Sequence, residues 1–190
     1  YNRKYMDLKD TYDRIAEDWH KEHLQYDSWV KSLDKFTSLL NPGASILDVG
    51  CGPGIQVKYL TQKEFEVTGI DFSSEMIKIA RGKTPEAKFE TLDLNDIDKL
   101  EETFDGIIMH AVLLHIKRSD AQGVITKTAN KLKINGYFYI ATKEKLAEEG
   151  KEEIVTDEYG QRFFSYFTAD EIKNIFFNIG LVIVYENVSP

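Results

Sequence analysis

The sequence lacks the features of disulfide-stabilised and membrane-spanning proteins. It contains one cysteine, Cys51, which excludes an internal disulfide framework and makes a reducing cytosol the expected compartment. No apolar run approaches the roughly 18 residues of a membrane helix, so no membrane association is expected. The start shows no basic–apolar–small signal sequence, and Tyr1 in place of Met indicates a processed or trimmed N-terminus.

Positive charge is also scarce. The chain has 24 Lys and Arg against 32 Asp and Glu, a formal net charge of −8. Because an acidic protein repels phosphate backbones, nucleic acid is not expected as a partner, although a local basic patch stays compatible with this charge. The 190 residues suffice for one domain with its own core. The sequence does not specify an oligomeric state.

From residue 44 onward, strand-like and helix-like patterns alternate. This alternation is typical of βαβ units, so the predicted fold class is α/β: a doubly wound, Rossmann-like, mainly parallel sheet with helices on both faces. The predicted strands are 45–49, 66–70, 87–91, 104–109, 137–141 and 181–185.

Helix patterns separate these strands. One begins at Ile55, and a second begins at Ser73-Ser74-Glu75. A third begins at Ser119-Asp120, includes Leu132 and ends at Asn135-Gly136. The last begins at Thr168-Ala169-Asp170-Glu171, which resembles a capping box, and ends at Gly180.

Two further segments have their own predicted structure. Residues 1–40 are predicted to form an N-terminal helical cap, two helices joined near Tyr26-Asp27-Ser28, in front of a main domain over 41–190. We expect the cap to act as a lid. Residues 143–160 are strongly acidic and are interpreted as a solvated loop or a short exposed helix.

The most informative stretch is Ile46 to Gly54. An apolar run ends in glycines at alternate positions, Gly50, Gly52 and Gly54, and a helix pattern follows. The GxxxxGK[ST] phosphate loop is absent, and the GxGxxG dinucleotide fingerprint fails. Asp48 would oppose a pyrophosphate, so this turn favours a ligand with a positively charged group. Asp48 could also cap the turn by accepting backbone N–H groups.

Two more acids follow the next two predicted strands. Asp71 is placed to accept hydrogen bonds from ribose hydroxyls, or only to cap a helix. Asp93 is placed to accept from an exocyclic amine, with Leu92, Leu94 and Met76 as apolar walls, or only to serve its own loop. Together the three acids predict a pocket for a nucleoside that bears no phosphate.

At this point the sequence resembles the class I S-adenosylmethionine-dependent methyltransferases, of the small-molecule type with a helical cap. Asp48 to Gly54 resembles the first motif of that family, and Gly69 to Ser73 the acidic second motif. Leu92-Asp93-Leu94 resembles the third, and Phe104 to His115 the fourth. The resemblance extends over about residues 40–185.

The resemblance implies S-adenosylmethionine as the cofactor and a small-molecule methyl acceptor as the partner. Gly50 and Gly52 would hold the methionine part, Asp71 the ribose and Asp93 the adenine amine, while Tyr12 would close over the cofactor. The implied cofactor-binding set is Tyr12, Asp48, Gly50, Cys51, Gly52, Asp71, Phe72, Met76, Asp93, Leu94, His110 and Ala111.

Family members usually end with a further strand paired in a hairpin with the preceding one, and this chain ends at Pro190. Either that strand lies outside the sequence, or Arg162–Phe167 takes an unusual place at the sheet edge.

Candidate catalytic groups are few. His115 and His110 are the candidate bases, with Tyr12 as a positioning group; either histidine could instead be a satisfied, semi-buried residue. Arg162 could bind a carboxylate or phosphate of the substrate, or form a surface ion pair. His20 and His23 do not suffice for a metal site, so no metal is predicted.

Three other functions compete with methyl transfer to a small molecule. An RNA or protein methyltransferase would favour a basic face, which the net charge of −8 argues against. A non-catalytic module that binds the cofactor stays open, since no base is unmistakable. A nicotinamide oxidoreductase is disfavoured by the glycine spacing and by Asp48.

Overall fold

The computed structural model describes residues 8–23, 29–145 and 151–188. The predicted junction at Tyr26-Asp27-Ser28 lies outside these ranges. The helices are α1 (Leu8–His23), α2 (Val30–Thr37), α3 (Ile55–Thr61), α4 (Ser74–Lys83), α5 (Arg118–Ala129) and α6 (Ala169–Asn178). The strands are β1 (Ser45–Val49), β2 (Glu66–Asp71), β3 (Lys88–Thr91), β4 (Phe104–His110), β5 (Leu132–Ala141), β6 (Glu152–Asp157) and β7 (Gly160–Ser165).

Five strands form one parallel sheet in the order β3-β2-β1-β4-β5. The chain runs outward from β1 to β3, then crosses back to β4, so the order reverses beside β1. Val49 at the end of β1 lies opposite Ile70 on one side and Met109 on the other. The turns after these strands therefore lie together at one edge, where α/β folds bind their ligands.

Helices cover both faces of the sheet. On one face, Ile46 and Ile108 pack in a cluster with Leu33 of α2 and Val57 of α3. On the other, the neighbouring strand residues pack against α5 and α6: the members include Leu47, Ile107, Ala121, Ile125 and Phe176. This alternation is the period of two that buries a strand on both faces. The predicted doubly wound α/β fold is confirmed.

The two N-terminal helices have different neighbours. Leu33 and Phe36 of α2 are buried in the core cluster beside the sheet. In α1, Asp13 accepts hydrogen bonds from Ser73 Oγ (2.6 Å) and from the backbone N–H of Glu75 (3.2 Å), so α1 sits over the start of α4. The division of the chain at residue 40 stays a prediction.

Most predicted elements are present with small changes of boundary. The main correction concerns Leu132 and Asn135-Gly136, which belong to β5 and not to the preceding helix. Pairing with β4 jumps from Phe104–Leu132 to Gly106–Tyr137, and Asn135 has a φ of 64°. Asn135-Gly136, predicted to end a helix, instead lies at an irregularity within β5, where the extra residues do not pair with β4.

Residues 143–160 contain a strand and not only a loop. β6 and β7 form a separate antiparallel hairpin, with Ile154 opposite Phe163 and the turn ending at Gly160. The suggestion that 162–167 joins the edge of the main sheet is therefore wrong. Ile154 and Val155 lie within the acidic stretch, and β-branched residues favour a strand there.

The predicted last strand at 181–185 is also wrong. Residues 181–188 form no strand, and Val182 is 81% exposed. An apolar, β-branched run forms a strand only where a neighbouring strand pairs with it. Within the described ranges, β5 is the outer strand of the sheet on this side.

Candidate functional site

A glycine turn follows β1 at the carboxyl edge of the sheet. Gly50 and Gly52 both have left-handed backbones, with φ of 68° and 52°. A Cβ on Gly50 would lie 2.3 Å from Cγ2 of Val112, so this position accepts only glycine. The N–H groups of Gly50 and Cys51 both donate to the carbonyl of Ile70, at 2.8 and 3.0 Å, which ties the turn to the end of β2.

Asp71 ends β2 and connects two turns. It is 7% exposed, and its carboxylate accepts hydrogen bonds from the backbone N–H groups of Gly52 (2.9 Å) and Ser73 (2.8 Å). Ser73 in turn caps α4 through the N–H of Met76 (3.1 Å). Burial raises the pKa of Asp71 to about 6, although both backbone bonds favour the charged form. A carboxylate has about four lone-pair sites, so two stay open to a ligand.

Asp48 lies behind the glycine turn. It is 1% exposed, and neither of its carboxyl oxygens has a hydrogen-bond partner. The alternative that Asp48 caps the turn through backbone N–H groups is therefore wrong. Burial and the neighbouring charge of Asp71 raise the pKa of Asp48 to about 8, so the two acids beside the turn do not readily ionise together.

The turn after β3 carries Asp93. This residue is exposed, and its carboxylate accepts from the backbone and side-chain nitrogens of Asn95, at 2.8 and 2.9 Å. Asp93 therefore has the loop role that the sequence left open, and it also lines the same cleft as Leu92, Leu94 and Met76.

The turn after β4 places His110 and Ala111 across from the glycine turn. The N–H of Ala111 donates to the carbonyl of Ala141 (2.9 Å), and its φ is 57°. A positive φ is uncommon for alanine and shows how tightly this turn is constrained. Burial lowers the pKa of His110 to about 4, so its ring is neutral at physiological pH.

His115 and Tyr12 meet although 103 residues separate them. The Tyr12 hydroxyl lies 2.8 Å from Nε2 of His115, and Nδ1 of His115 lies 2.9 Å from the carbonyl of Phe163. Because a carbonyl only accepts, Nδ1 carries the proton, and Tyr12 donates to Nε2 of the neutral ring. Burial, together with the charges of Arg162 and Lys143, lowers the pKa of His115 to about 4, although the hydrogen bond to Phe163 raises it.

Arg162 completes this group. One of its terminal nitrogens donates to the Tyr12 hydroxyl at 3.3 Å, and the other forms an ion pair with Asp157. The guanidinium is 5.1–6.0 Å from the centroids of four rings. Those rings belong to Tyr12, Trp19, Tyr159 and Phe164. Its side chain is only 6% exposed, so Arg162 forms a buried pair and not the surface pair considered from the sequence.

All but one of the predicted site residues line one continuous cleft of about 1940 Å³, which extends onward along β5. Asp48 is the exception, since it lies behind the turn. We call one part of the cleft, together with Asp48 behind it, the glycine-turn end: Asp48, Gly50, Gly52 and Asp71. We call the other part the aromatic end: Tyr12, Trp19, His115, Lys143, Arg162 and Phe164.

Sequence reasoning missed Trp19, Lys143 and Phe164. Phe164 is buried and also lines the cleft. The only sequence signal for this end of the cleft was Arg162, a cation next to the aromatic residues Phe163 and Phe164. His23 stacks on Trp19 (4.0 Å between centroids), and across the described ranges no three His, Cys, Asp or Glu side chains form a metal-binding group.

A family model described as a methyltransferase domain matches residues 19–186. The chain belongs to this methyltransferase family. The resemblance drawn from the four motifs is thereby confirmed.

In the described part of the chain, no helix is long and apolar enough to cross a membrane.

Curated relatives cover different shares of this methyltransferase. The putative methyltransferase YqeM of Bacillus subtilis (strain 168) is 33% identical over 108 residues, which are 55% of this chain and 40% of that protein. An uncharacterized methyltransferase of Alkaliphilus oremlandii (strain OhILAs) is 25% identical over 194 aligned residues, 95% of this chain and 88% of that protein. The chain therefore spans less than half of the first relative and most of the second.

Solved structures share the fold. A complex of DhpI with SAH superposes with a TM-score of 0.73 at 17% identity, over 90% of this chain and 84% of that one. A putative methyltransferase in complex with the Haloferax volcanii Trm112 methyltransferase activator superposes at 0.74 and 20% identity, over 92% and 76%. At these identities the likeness concerns the fold alone.

Proposed function

We propose that this chain transfers the methyl group of S-adenosylmethionine to a small-molecule acceptor. One observation carries the proposal: a left-handed glycine turn at the sheet edge has two buried acids beside it, and Asp48 has no hydrogen-bond partner. A sulfonium cofactor brings positive charge and no phosphate, which suits this turn better than a dinucleotide does. The family membership supports the same assignment.

The residues predicted to bind the cofactor then have the following roles. The backbone of Gly50 and Gly52 would hold the methionine part, and Asp71 would accept from the ribose hydroxyls through its two open lone-pair sites. Asp93 would accept from the adenine amine. The remaining proposed contacts are Tyr12, Cys51, Phe72, Met76, Leu94, His110 and Ala111.

Asp48 would act at longer range. Its side chain lies behind the turn and does not line the cleft, so it would not contact the cofactor directly. Its ionised form is disfavoured by burial when no cation is near. A bound cation favours ionisation, so cofactor binding would be coupled to release of a proton from the Asp48–Asp71 pair.

Methyl transfer from a sulfonium is an in-line displacement, and alignment supplies most of the catalysis. Tyr12 and His115 line the same cleft, and in this proposal the acceptor would meet the methyl group beside them. Nε2 of the neutral His115 ring already accepts a hydrogen bond from the Tyr12 hydroxyl, so this pair would hold the acceptor's hydrogen bond in a fixed direction. His110 has no comparable partner among the hydrogen bonds of the described residues, so His115 is the better candidate base.

The low pKa of His115 limits how strong a base it is. A base works best when its pKa is near the working pH, and this ring has a pKa of about 4. An acceptor group with a low pKa, or one with no proton to lose, would suit the site better than an alcohol.

Calorimetry with S-adenosylmethionine and with NAD tests the proposal. We expect saturable binding of S-adenosylmethionine and none of NAD. Asp71→Ala is the matched variant, and Asp98→Ala on the remote surface is its control. Binding of NAD without binding of S-adenosylmethionine would overturn the proposal.

A further inference from the structure

The aromatic end of the cleft carries a lysine directly after β5. Lys143 lines the cleft, and its Nζ lies 5.1 Å above the ring centroid of Phe164. The Phe164 ring is in turn 5.0 Å from the ring of His115, edge to face. A positive charge therefore stands one ring away from the Tyr12–His115 pair.

Lys143 has no carboxylate partner within the described ranges. No ion pair within 4.0 Å includes it, while Lys145, two residues on, pairs with Glu153 at 3.4 Å. Glu144 lines the same cleft, but its carboxylate accepts from the N–H of Ala169 (3.2 Å) at the start of α6. Lys143 is itself exposed and Glu144 keeps its charge in the same cleft, so the position of Lys143 beside Phe164, and not a missing partner, favours a negatively charged ligand there.

Arg162 also lies beside Phe164. Its guanidinium carbon is 5.3 Å from the Phe164 centroid, and its Nε is buried with no hydrogen-bond partner. Asp157 balances its charge, so Arg162 supplies unused donor capacity and not a second free charge. Phe164 and Tyr166, stacked at 6.4 Å between centroids, supply an apolar wall for the body of a ligand.

We propose that the methyl acceptor carries a carboxylate or phosphate group that binds Lys143, with an apolar or aromatic body that packs on Phe164 and Tyr166. This inference rests on the proposed function, because it assigns the acceptor half of the same cleft. The cleft would then bind a cationic cofactor at the glycine-turn end and an anionic acceptor at the aromatic end. The acids at the glycine-turn end would attract the cationic cofactor, and Lys143 at the aromatic end would attract the anionic acceptor.

The chain offers a close control. Lys143 and Lys145 each lie 5.1 Å above an aromatic ring, Phe164 and Tyr166. Lys145 is outside the lining of the cleft. Lys143→Gln and Lys145→Gln therefore remove the same charge from neighbouring positions, and only the first removes it from the cleft.

The test is calorimetric titration of the chain saturated with S-adenosylhomocysteine, using benzoate, phenyl phosphate and benzamide as probes. Benzamide matches benzoate in shape and lacks its charge. We expect one of the two anions to bind about tenfold more tightly than benzamide, the size of a charge-assisted hydrogen bond. Lys143→Gln should abolish that preference and Lys145→Gln should keep it. The stronger anion identifies carboxylate or phosphate as the group recognised.

Three results would overturn the inference: equal binding of anions and benzamide, no saturable binding of either anion, or an unchanged preference in Lys143→Gln. Binding of S-adenosylhomocysteine itself reports on the proposed function separately. If the nucleoside binds and the anion preference is missing, only the acceptor inference fails. If the nucleoside does not bind, the proposed function fails.

Discussion

The glycine-turn end and the aromatic end of the cleft are built in different ways. The first consists of turns that follow adjacent parallel strands, with backbone bonds such as Gly52 N–H to Asp71 fixing their geometry. The second is assembled by α1, the turn after β4 and the β6–β7 hairpin, through side chains such as Tyr12, His115 and Arg162. One end is a property of the sheet, and the other depends on elements that pack onto it.

The two ends also differ in charge. Asp48 and Asp71 are buried acids, while the aromatic end has the positive charge of Lys143 and an arginine, Arg162, whose charge Asp157 balances. Backbone geometry tolerates little variation, whereas side chains on an added helix and hairpin can change without disturbing the sheet. We infer that the glycine-turn end determines the cofactor and the aromatic end determines the acceptor.

The largest expected effect is at the glycine-turn end. Gly50→Ala places a Cβ 2.3 Å from Cγ2 of Val112 at a φ of 68°. We expect a loss of roughly 3 kcal/mol in the free energy of unfolding, from a left-handed alanine and an overpacked contact together. Gly123→Ala in α5, where nothing lies within 4 Å of the new Cβ, should instead stabilise by about 0.5–1 kcal/mol. Urea unfolding of both variants is the measurement, and similar stabilities would contradict the claim that this turn is rigid.

The second prediction concerns the ion pair at the aromatic end. Asp157→Asn keeps the shape of the side chain and leaves the Arg162 charge buried without its partner. We expect a loss of about 2–3 kcal/mol in unfolding free energy, less than for a fully buried pair because Asp157 is 24% exposed. The double variant Asp157→Asn/Arg162→Met should recover most of that loss. Equal loss in the single and double variants would show that the hairpin turn, and not the charge, sets the stability.

The same contrast explains how much of the site could be predicted from the sequence. Strand patterns and the rule that parallel strands end at one edge suffice to bring Gly50, Asp71 and Asp93 together. No such rule places Tyr12 beside Arg162, because they are 150 residues apart and meet only through the packing of α1 on the hairpin. Lys143 follows β5 at the same edge, but no rule places it beside Phe164, which belongs to the hairpin.

The failures in the fold have the same origin. Leu132 has helical spacing with the residues of α5, but the edge of β4 pairs with it as a strand. Residues 181–185 have strand-like composition and pair with no strand in the described part of the chain. Local pattern gives the preference of a segment, and its neighbours decide whether that preference is realised.

A third prediction compares the two ends in cofactor binding. Asp71→Ala should weaken S-adenosylmethionine binding by about 1–3 kcal/mol, since it removes charge-assisted hydrogen bonds. Lys143→Gln should leave that affinity unchanged, because it alters only the aromatic end. Calorimetry on the two variants and the wild type measures both. If Lys143→Gln weakened the cofactor as much as Asp71→Ala, the division of the cleft into two ends would not hold.

The smallest expected effect is a pH dependence at the glycine-turn end. The pKa of Asp48 is raised to about 8, so between pH 6.5 and 8 the folded chain holds a proton that the unfolded chain has lost. Stability without ligand should therefore fall as pH rises through this window, by roughly 1–2 kcal/mol. His110 and His115, whose lowered pKa values give the opposite slope, act below pH 6.5.

Cofactor affinity should change in the opposite direction. A cationic ligand favours ionised Asp48, so binding of S-adenosylmethionine should tighten as pH rises from 6.5 to 8, and the proton released on binding should decrease from nearly one at pH 6.5. Asp48→Asn removes the titrating group and should flatten both pH profiles, whereas Asp98→Asn on the surface should change neither. Thermal unfolding and calorimetry in buffers of different ionisation enthalpy measure the two slopes. Parallel slopes for stability and affinity would show that the proton resides elsewhere, and Asp48 would then be a buried acid with no part in recognising the cofactor's charge.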